Sequence, residues 1–252
     1  MRQIPLIATL LILLFARNSW AQFPILTIQR SLLAHVRSGI VMRDITLIGE
    51  VSRNGEVQPM RMMIRGNAQI RSEAGSGNNL QTLIFDNGNG WVGNGSSFRP
   101  VESHAAQQQR PSIVPFLDLM SEVQNPRIAA SDGNTYITGG DAEVRVRLEL
   151  PDATPEKRFK NRPLNEAVDI DIDPSTFLVR RSTRLIRSTT NQDFQVPVVT
   201  EYSDYRDVQG VKIPFRVITK TGTAELGVHV STIVWHTVYI NSDLSESIFR
   251  PQ

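Results

Sequence analysis

Two segments of the chain alternate strictly between apolar and charged side chains. In residues 142–150 every second residue is apolar, and the residues between them are Glu or Arg. Residues 168–173 alternate in the same way between branched apolar side chains and Asp. Because successive side chains of a strand point to opposite faces, a period of two is typical of a strand with one buried face and one solvated face. Both segments are therefore predicted to be β-strands.

The same period extends to much of the remaining sequence. Residues 45–51 and 57–65 flank Asn54-Gly55, which is a typical hairpin turn. Further strands are expected at 67–73, 80–86, 177–187, 194–206, 211–220 and 225–240. About ten or eleven strands without alternating helices indicate a mainly β fold, and a twisted antiparallel sheet of that length tends to curl. We predict a curved antiparallel sheet that forms an incomplete β-barrel.

Two regions have helical rather than strand spacing. In residues 24–38 an early proline and Gly39 bracket an amphipathic pattern formed by Ile25, Ile28, Leu32 and Val36. Two short helices are predicted between residues 100 and 125, the first at 102–109 and the second after Pro111. The second carries an apolar stripe at i, i+3, i+4 and i+7, formed by Ile113, Phe116, Leu117 and Met120. We expect an N-terminal helix and a central helical lid over the open side of the barrel.

The N-terminus has the organisation of a signal peptide. Arg2 precedes an apolar run at 6–15, and Ser19-Trp20-Ala21 supplies small residues at the positions that a signal peptidase needs. We predict a signal peptide at 1–21, a single domain at 22–252 and a location in the bacterial periplasm. An uncleaved membrane anchor is the alternative. The apolar run is short for a permanent membrane-spanning helix, and we expect no stable membrane span after cleavage.

Charge and cysteine content exclude several classes of protein. The chain has 27 Lys and Arg against 25 Asp and Glu, and removal of residues 1–21 takes away two arginines and no acid. The remaining balance is neutral, so no global field favours nucleic acid or an anionic membrane surface. The sequence contains no Cys, which excludes a lipid-modified cysteine, a disulfide and a thiolate metal site.

Residues suited to catalysis or metal binding have simpler structural interpretations. His229 and His236 are seven residues apart in one predicted strand, which places them on opposite faces. The aspartates in 168–173 share a face and could hold a cation, but pairing with Arg145 and Arg147 on a neighbouring strand is the favoured interpretation. The glycine-rich segment 85–95 fits a hairpin rather than a phosphate loop or calcium loop. We therefore expect no enzyme, no metal and no cofactor.

Methionines mark one strand as a potential apolar binding surface. Met60, Met62 and Ile64 lie on one face of the predicted strand, and Met63 lies on the other. Thioether side chains adapt to ligands of irregular shape, but a single methionine is more often a core residue that fills a gap. Both interpretations stay open at this level.

The order of elements resembles that of the LolA/LolB-like family of periplasmic lipoprotein carriers. The resemblance rests on the Gly-x-Gly-Trp-Val hairpin at 88–92, on residues 202–216 and on the C-terminal segment 239–251. It implies an incomplete β-barrel whose helical lid covers an apolar cavity for acyl chains. Because no lipid-modified cysteine is present, the resemblance is to the soluble carrier rather than to the membrane-anchored receptor.

The resemblance implies a non-catalytic monomer that carries or senses an acyl chain, a lipoprotein or another hydrophobic ligand. Arg65, at the end of the second strand, matches a basic residue of the carriers, and the helix at 113–123 would shield the ligand. The expected ligand-binding residues are Met60, Met62, Ile64, Arg65, Trp91, Ile113, Phe116, Leu117 and Met120. The alternative is an envelope-stress sensor or assembly module that recognises a protein partner with the same barrel.

Overall fold

The computed structural model of the chain describes residues 24–66, 68–101, 112–123, 129–131, 135–138, 141–149, 167–187, 195–223, 225 and 227–251. The predicted signal peptide at 1–21 and the predicted helix at 102–109 lie outside these described residues.

Within the described ranges, all strands belong to one antiparallel sheet that does not close on itself. The strands are β1 (Asp44–Arg53), β2 (Glu56–Arg65), β3 (Gln69–Ala74), β4 (Gln81–Asp86), β5 (Asn89–Gly93), β6 (Phe98–Val101), β7 (Ala129–Ser131), β8 (Thr135–Thr138), β9 (Asp141–Glu149), β10 (Ala167–Ile172), β11 (Val179–Arg187), β12 (Gln195–Val208), β13 (Val211–Thr223) and β14 (Gly227–Ile240). The order across the sheet is β6-β5-β4-β3-β2-β1-β14-β13-β12-β11-β10-β9-β7, and β8 also pairs with β9. The predicted mainly β, incomplete barrel is confirmed.

The sheet consists of two meanders that meet where the first strand pairs with the last. β1 pairs with β14 along nearly its whole length, from Ile45 opposite Ile240 to Arg53 opposite Ser231. The register shifts between Ile48 and Gly49, which is a β-bulge. This long-range pairing joins the β2–β6 half of the sheet to the β9–β13 half.

Two helices cover one face of the sheet, which we call the inner face; it carries Ile45, Leu47 and Val51. Helix α1 spans Pro24–His35 and α2 spans Pro115–Val123. The helices contact each other, and α1 also contacts β13 while α2 contacts β11. Ile28 of α1 and Phe116 of α2 join the inner-face side chains in one buried apolar cluster. The predicted N-terminal helix and central helix are therefore present.

The buried faces of both helices differ from the predicted stripes. Ile25 is 58% exposed, because Thr27, Ile28, Ser31 and His35 form the buried side of α1. Met120 is 38% exposed, whereas Leu119 is buried. The buried side of α2 is centred on Phe116 and Leu119, so Met120 lies at its exposed edge. The assignments of Ile25 and Met120 to apolar buried faces are thus wrong.

The opposite, outer face of the sheet is covered locally by ion pairs. Arg145 donates two hydrogen bonds to Asp171, and Arg147 does the same to Asp169. These residues face each other across β9 and β10. The predicted strand pairing of arginine with aspartate is confirmed, and it stabilises the sheet rather than creating a cation site.

The C-terminal segment covers the outer face of β3 and β4. Phe249 is fully buried, and its 3₁₀ turn Glu246–Phe249 contacts both strands. Arg71 on the outer face donates a hydrogen bond to the carbonyl of Ile248 at 3.1 Å. Met63 and Ile84, also on this face, are buried outside the inner-face cluster. The segment thus gives this half of the sheet a second, smaller apolar core.

Three short strands were absent from the sequence-based prediction. β6, β7 and β8 span only Phe98–Val101, Ala129–Ser131 and Thr135–Thr138. Strands of three or four residues offer too few positions for a period of two to be recognised. β6 and β7 form the two ends of the strand order.

Candidate functional site

The methionine strand forms part of the floor of the inner face. Met60, Met62 and Ile64 are all buried and belong to the main apolar cluster. In β3, Ile70 and Ala74 continue this floor, because they pair with Ile64 and Met60. The structure therefore places these three predicted site residues together on the side of the sheet that the helices cover.

An open cleft of about 700 Å³ adjoins this floor on the β3–β6 side of the sheet. Its lining residues are Arg53, Ser72, Ala74, Gln81, Thr82, Leu83, Val92, Gly93, Asn94, Ser97, Phe98 and Arg99. Ligand pockets in proteins commonly have volumes of about 300–1,000 Å³. The cleft is therefore large enough for a substantial part of an amphiphile.

The apolar part of the cleft is continuous with the protein core. Ala74 belongs to the main apolar cluster, and Leu83 packs against that cluster while also lining the cleft. Val92 lies beside Leu83 across the β4–β5 pair. A hydrocarbon bound here would extend the existing core instead of forming a separate apolar patch.

The charged side chains that line the cleft are cationic. Arg53 ends β1 and Arg99 lies in the edge strand β6, and no Asp or Glu is among the described lining residues. A smaller cleft of about 280 Å³ shares Arg53 and Gln81 with the first and adds Glu56 on its far side. The main cleft thus combines an apolar floor with positive charge.

Helix α2 is fastened to the sheet by a chain of hydroxyl groups. Ser112, just before the helix, donates to Asp118 at 2.7 Å, so its oxygen accepts from the Tyr202 hydroxyl at 2.6 Å. The Tyr202 oxygen in turn lies 3.1 Å from the Ser182 hydroxyl on β11. Burial, followed by the nearby Asp118 charge, raises the pKa of Tyr202 well above its usual value. The phenol therefore remains protonated and can donate to Ser112.

We expect Tyr202→Phe to loosen α2 without unfolding the sheet. The substitution removes the links from Tyr202 to Ser112 and Ser182, each of which contributes about 1 kcal/mol. Hydrogen exchange of the backbone amides in 112–120 should become faster, and unfolding by urea should show a loss of about 1–2 kcal/mol. Tyr239→Phe is the matched control, because Tyr239 is 53% exposed. Equal exchange rates in wild type and Tyr202→Phe would contradict the role of this hydroxyl chain.

A buried histidine lies where α1, α2 and β12 meet. The His35 ring is 6.0 Å from the Phe116 ring and 5.6 Å from the Tyr205 ring, measured between centroids. Its Nδ1 donates to the carbonyl of Ser31 at 2.8 Å, while Nε2 is buried without a hydrogen-bond partner among the described atoms. Burial lowers the pKa of His35 to about 4, although the bond to Ser31 acts in the opposite direction. His35 is therefore neutral at pH 7, which suits its contacts with the Phe116 and Tyr205 rings.

Two predicted site residues lie on the outer face instead of the inner one. Trp91 pairs with Ile84 and is half-buried on the outer face. Arg65 alternates with the inner-face Ile64, and its guanidinium is 3.5 Å from the carboxylate of Glu246 in the C-terminal segment. Trp91 and Arg65, both expected at the binding site, therefore do not share a face with Met60 and Met62. Neither residue is among those that line the open cleft.

The predicted lid residues pack closely instead of lining the open cleft. Ile113, Phe116 and Leu117 are buried in the main cluster. Sequence reasoning missed the residues that do line the cleft, including Arg53, Leu83, Val92 and Arg99. One sequence signal could have identified two of them. The Asn87-Gly88 turn fixes the register of the β4–β5 hairpin, which places Val92 opposite Leu83 on one face.

A third cleft, of about 380 Å³, is lined by two buried carboxylates, Asp173 and Glu143. Asp173 accepts hydrogen bonds from Ser175 and Arg180, and Arg181 forms an ion pair with Glu143. Burial acts to raise the pKa of Asp173, but bonds from Ser175, Thr176 and Arg180 lower it below its usual value. Within the described ranges, no cluster of His, Asp and Glu has the arrangement of a metal site. These carboxylates act as structural ion pairs.

The amino-acid sequence matches no family model and no curated protein. Solved structures give a clear match. A LolA superfamily protein from Nitrosomonas europaea is 11% identical, with a TM-score of 0.55 over 89% of this chain and 96% of that chain. The chain has the fold of the LolA superfamily. This confirms, at the level of fold, the resemblance that the sequence suggested.

Two further structures share this LolA-like fold. An outer membrane lipoprotein-sorting protein domain from Vibrio parahaemolyticus is 6% identical, with a TM-score of 0.59 over 89% of this chain and 95% of that chain. A DUF1329 family protein from Desulfovibrio piger is 12% identical, with a TM-score of 0.54 over 89% and 96% of the two chains. At sequence identities this low, the similarity shows a shared fold and nothing more.

Among the helices of the described part of the chain, none is long and apolar enough to cross a membrane.

Proposed function

We propose that the protein is a non-catalytic binding protein that carries or senses an acyl chain, alone or as part of a lipoprotein, on the inner face of its sheet. The observation that supports this most directly is the open cleft whose apolar floor, Ala74, Leu83 and Val92, continues into the core. The LolA-like fold of the chain and the lipoprotein-sorting domain with the same fold agree with the proposal.

The energetics of such a site are favourable. Each methylene removed from water contributes about 0.8 kcal/mol, so about ten methylenes contribute about 8 kcal/mol. Association costs at least about 4 kcal/mol in lost freedom of motion. A cleft that buries half of a long acyl chain can therefore bind it usefully without any covalent step.

Helix α2 determines how much of the inner face a ligand can reach. Phe116, Leu117 and Leu119 are buried, and α2 contacts α1 and β11, on the other half of the sheet from the cleft. A long chain that extends from the cleft across the inner face toward β11 would meet this helix. The hydroxyl chain through Tyr202 gives α2 a polar attachment to the sheet. We propose that α2 closes over the inner face in the free protein and moves outward for longer ligands.

A carboxylate placed on the cleft floor should weaken binding strongly. Leu83→Asp puts a charge against the hydrocarbon, and we expect at least a tenfold loss of affinity for a fluorescent acyl probe. Leu185→Asp is the matched control, since Leu185 is 48% exposed in β11 and does not line the cleft. The affinity of each delipidated variant for the probe is measured from the change in probe fluorescence. Equal affinity of Leu83→Asp and wild type would exclude the cleft as the site.

We propose the periplasm as the location, on the basis of the apolar N-terminal run, the absence of Cys and the envelope role named for the Vibrio domain. Fractionation of cells that express the tagged full-length chain tests this. Release of the mature protein by osmotic shock, with a new N-terminus at Gln22, is the expected result. Retention of intact residues 1–21 in the membrane fraction would support the anchor instead.

Recognition of a protein partner is the second candidate function. The edge strand β6 ends the strand order and borders the cleft with Phe98 and Arg99. An unpaired edge can accept an extended partner strand. Crosslinking in cells distinguishes the two functions, because one recurrent protein partner and no extractable lipid would favour this candidate.

A further inference from the structure

We propose that the cleft selects acyl chains with an anionic head, that is, free fatty acids, and that Arg53 and Arg99 provide this selectivity. The inference rests on the proposed function, because it names the chemical class of the ligand for the same cleft.

The two arginines belong to the inner side of the sheet. Arg99 pairs with Val92, which in turn pairs with Leu83, so all three side chains lie on one face. Arg53 follows Val51 at a spacing of two, which places it on the same face as the core residue Val51. A chain lying along Leu83 and Val92 therefore has a guanidinium group at its side.

The arginines of the cleft differ from many others in the protein. Arg145, Arg147 and Arg180 each form a close ion pair with an aspartate. By contrast, no Asp or Glu of the described chain lies within 4.0 Å of the Arg53 or Arg99 guanidinium, and the described lining of the cleft contains no acidic residue. Glu56 lies opposite Arg53 across the β1–β2 pair and lines the neighbouring cleft, but it forms no ion pair with Arg53. An incoming carboxylate thus meets two guanidinium groups that have no ion-pair partner among the described residues.

Neutral polar groups complete the set of donors. Ser72 and Gln81 line the cleft and can donate to a head group, whereas the Asn94 side-chain oxygen already accepts bonds from Ser96 and Ser97. Guanidinium and carboxylate form strong charge-assisted hydrogen bonds. The described lining of the cleft offers no anionic partner for a quaternary ammonium head. It therefore favours an anionic head over a neutral or cationic one.

The test compares ligands that share a chain and differ only in the head. Dodecanoate and dodecanol displace a fluorescent acyl probe from the delipidated full-length protein, with wild type beside Arg53→Gln/Arg99→Gln. We expect the double variant to lose about tenfold in dodecanoate affinity and to bind dodecanol unchanged. A higher salt concentration should weaken the binding of dodecanoate and leave the binding of dodecanol unchanged. Arg61→Gln is the matched control, because Arg61 is exposed on the outer face of β2.

The possible results separate this inference from the proposed function. Equal binding of dodecanoate and dodecanol by wild type, or equal loss of both in the double variant, would overturn the head-group selectivity and leave acyl binding intact. Binding of neither ligand by wild type would overturn the proposed function itself. An unfolding temperature of the double variant equal to that of the wild type shows that the two substitutions, both at exposed positions, preserve the fold.

Discussion

Lowering the pH from 7 to 4 is expected to remove about 3 kcal/mol of stability through His35 alone. The pKa of this buried ring is about 4 in the folded protein, against an ordinary value of 6.5. The unfolded chain therefore binds the proton first, and stability that is complete above pH 6.5 falls as the pH decreases toward 4. Because His35 contacts Phe116 and Tyr205, its protonation should loosen the α1–α2 contact first.

Urea unfolding at a series of pH values measures this effect. His35→Leu keeps an apolar side chain in the core and should flatten the stability profile between pH 6.5 and 4. His236→Leu is the matched control, because His236 is 58% exposed. This variant should lose stability at acidic pH as the wild type does. Asp173, Asp204 and Asp207 have lowered pKa values, so their contributions are lost only below pH 3.8. An unchanged slope in His35→Leu would show that another group causes the acid sensitivity.

Substitution of Gly49 is expected to destabilise the protein by about 3–5 kcal/mol. A Cβ at this position would overlap the carbonyl oxygen of Val234 and lie 2.8 Å from the Cα of Trp235. Both atoms belong to the backbone of β14, which cannot move away without breaking its pairing with β1. Since that pairing joins the two halves of the sheet, Gly49→Ala should disrupt the fold globally.

Chemical denaturation of Gly49→Ala beside Ile48→Ala tests this prediction. Ile48 is the neighbouring residue and is 39% exposed, so its truncation should cost only about 1 kcal/mol. Similar losses in the two variants would mean that β14 yields to a side chain at position 49. The β-bulge would then not need glycine.

Local patterns predicted the strands well because a period of two can be read without knowing which strands are neighbours. The pairing of Arg145 with Asp171 followed from such a pattern. The pairing of β1 with β14 did not follow from a local pattern. It joins segments nearly 200 residues apart, and neither segment contains a sequence signal that identifies the other as its partner. The sheet order, and therefore the position of the open cleft, depends on this pairing.

The positions of Arg65 and Trp91 relative to the cleft show what family resemblance leaves out. The family resemblance points to Arg65 and Trp91 as site residues but does not say which face of the sheet they occupy. Alternation from Ile64 already places Arg65 on the other face, and the Asn87-Gly88 hairpin already places Trp91 with Ile84. Which of the two faces is the inner one could not be known, since helix packing decides it.

We propose that the inner face of the sheet holds a hydrocarbon chain in space that its own side chains leave free. A crystal structure of the protein with a long-chain fatty acid that carries bromine at its methyl end tests it most directly. We predict an anomalous bromine peak on the inner face, between the cleft floor at Leu83 and helix α2. A peak on the outer face near Trp91, or an empty inner face at saturating ligand, would contradict the account.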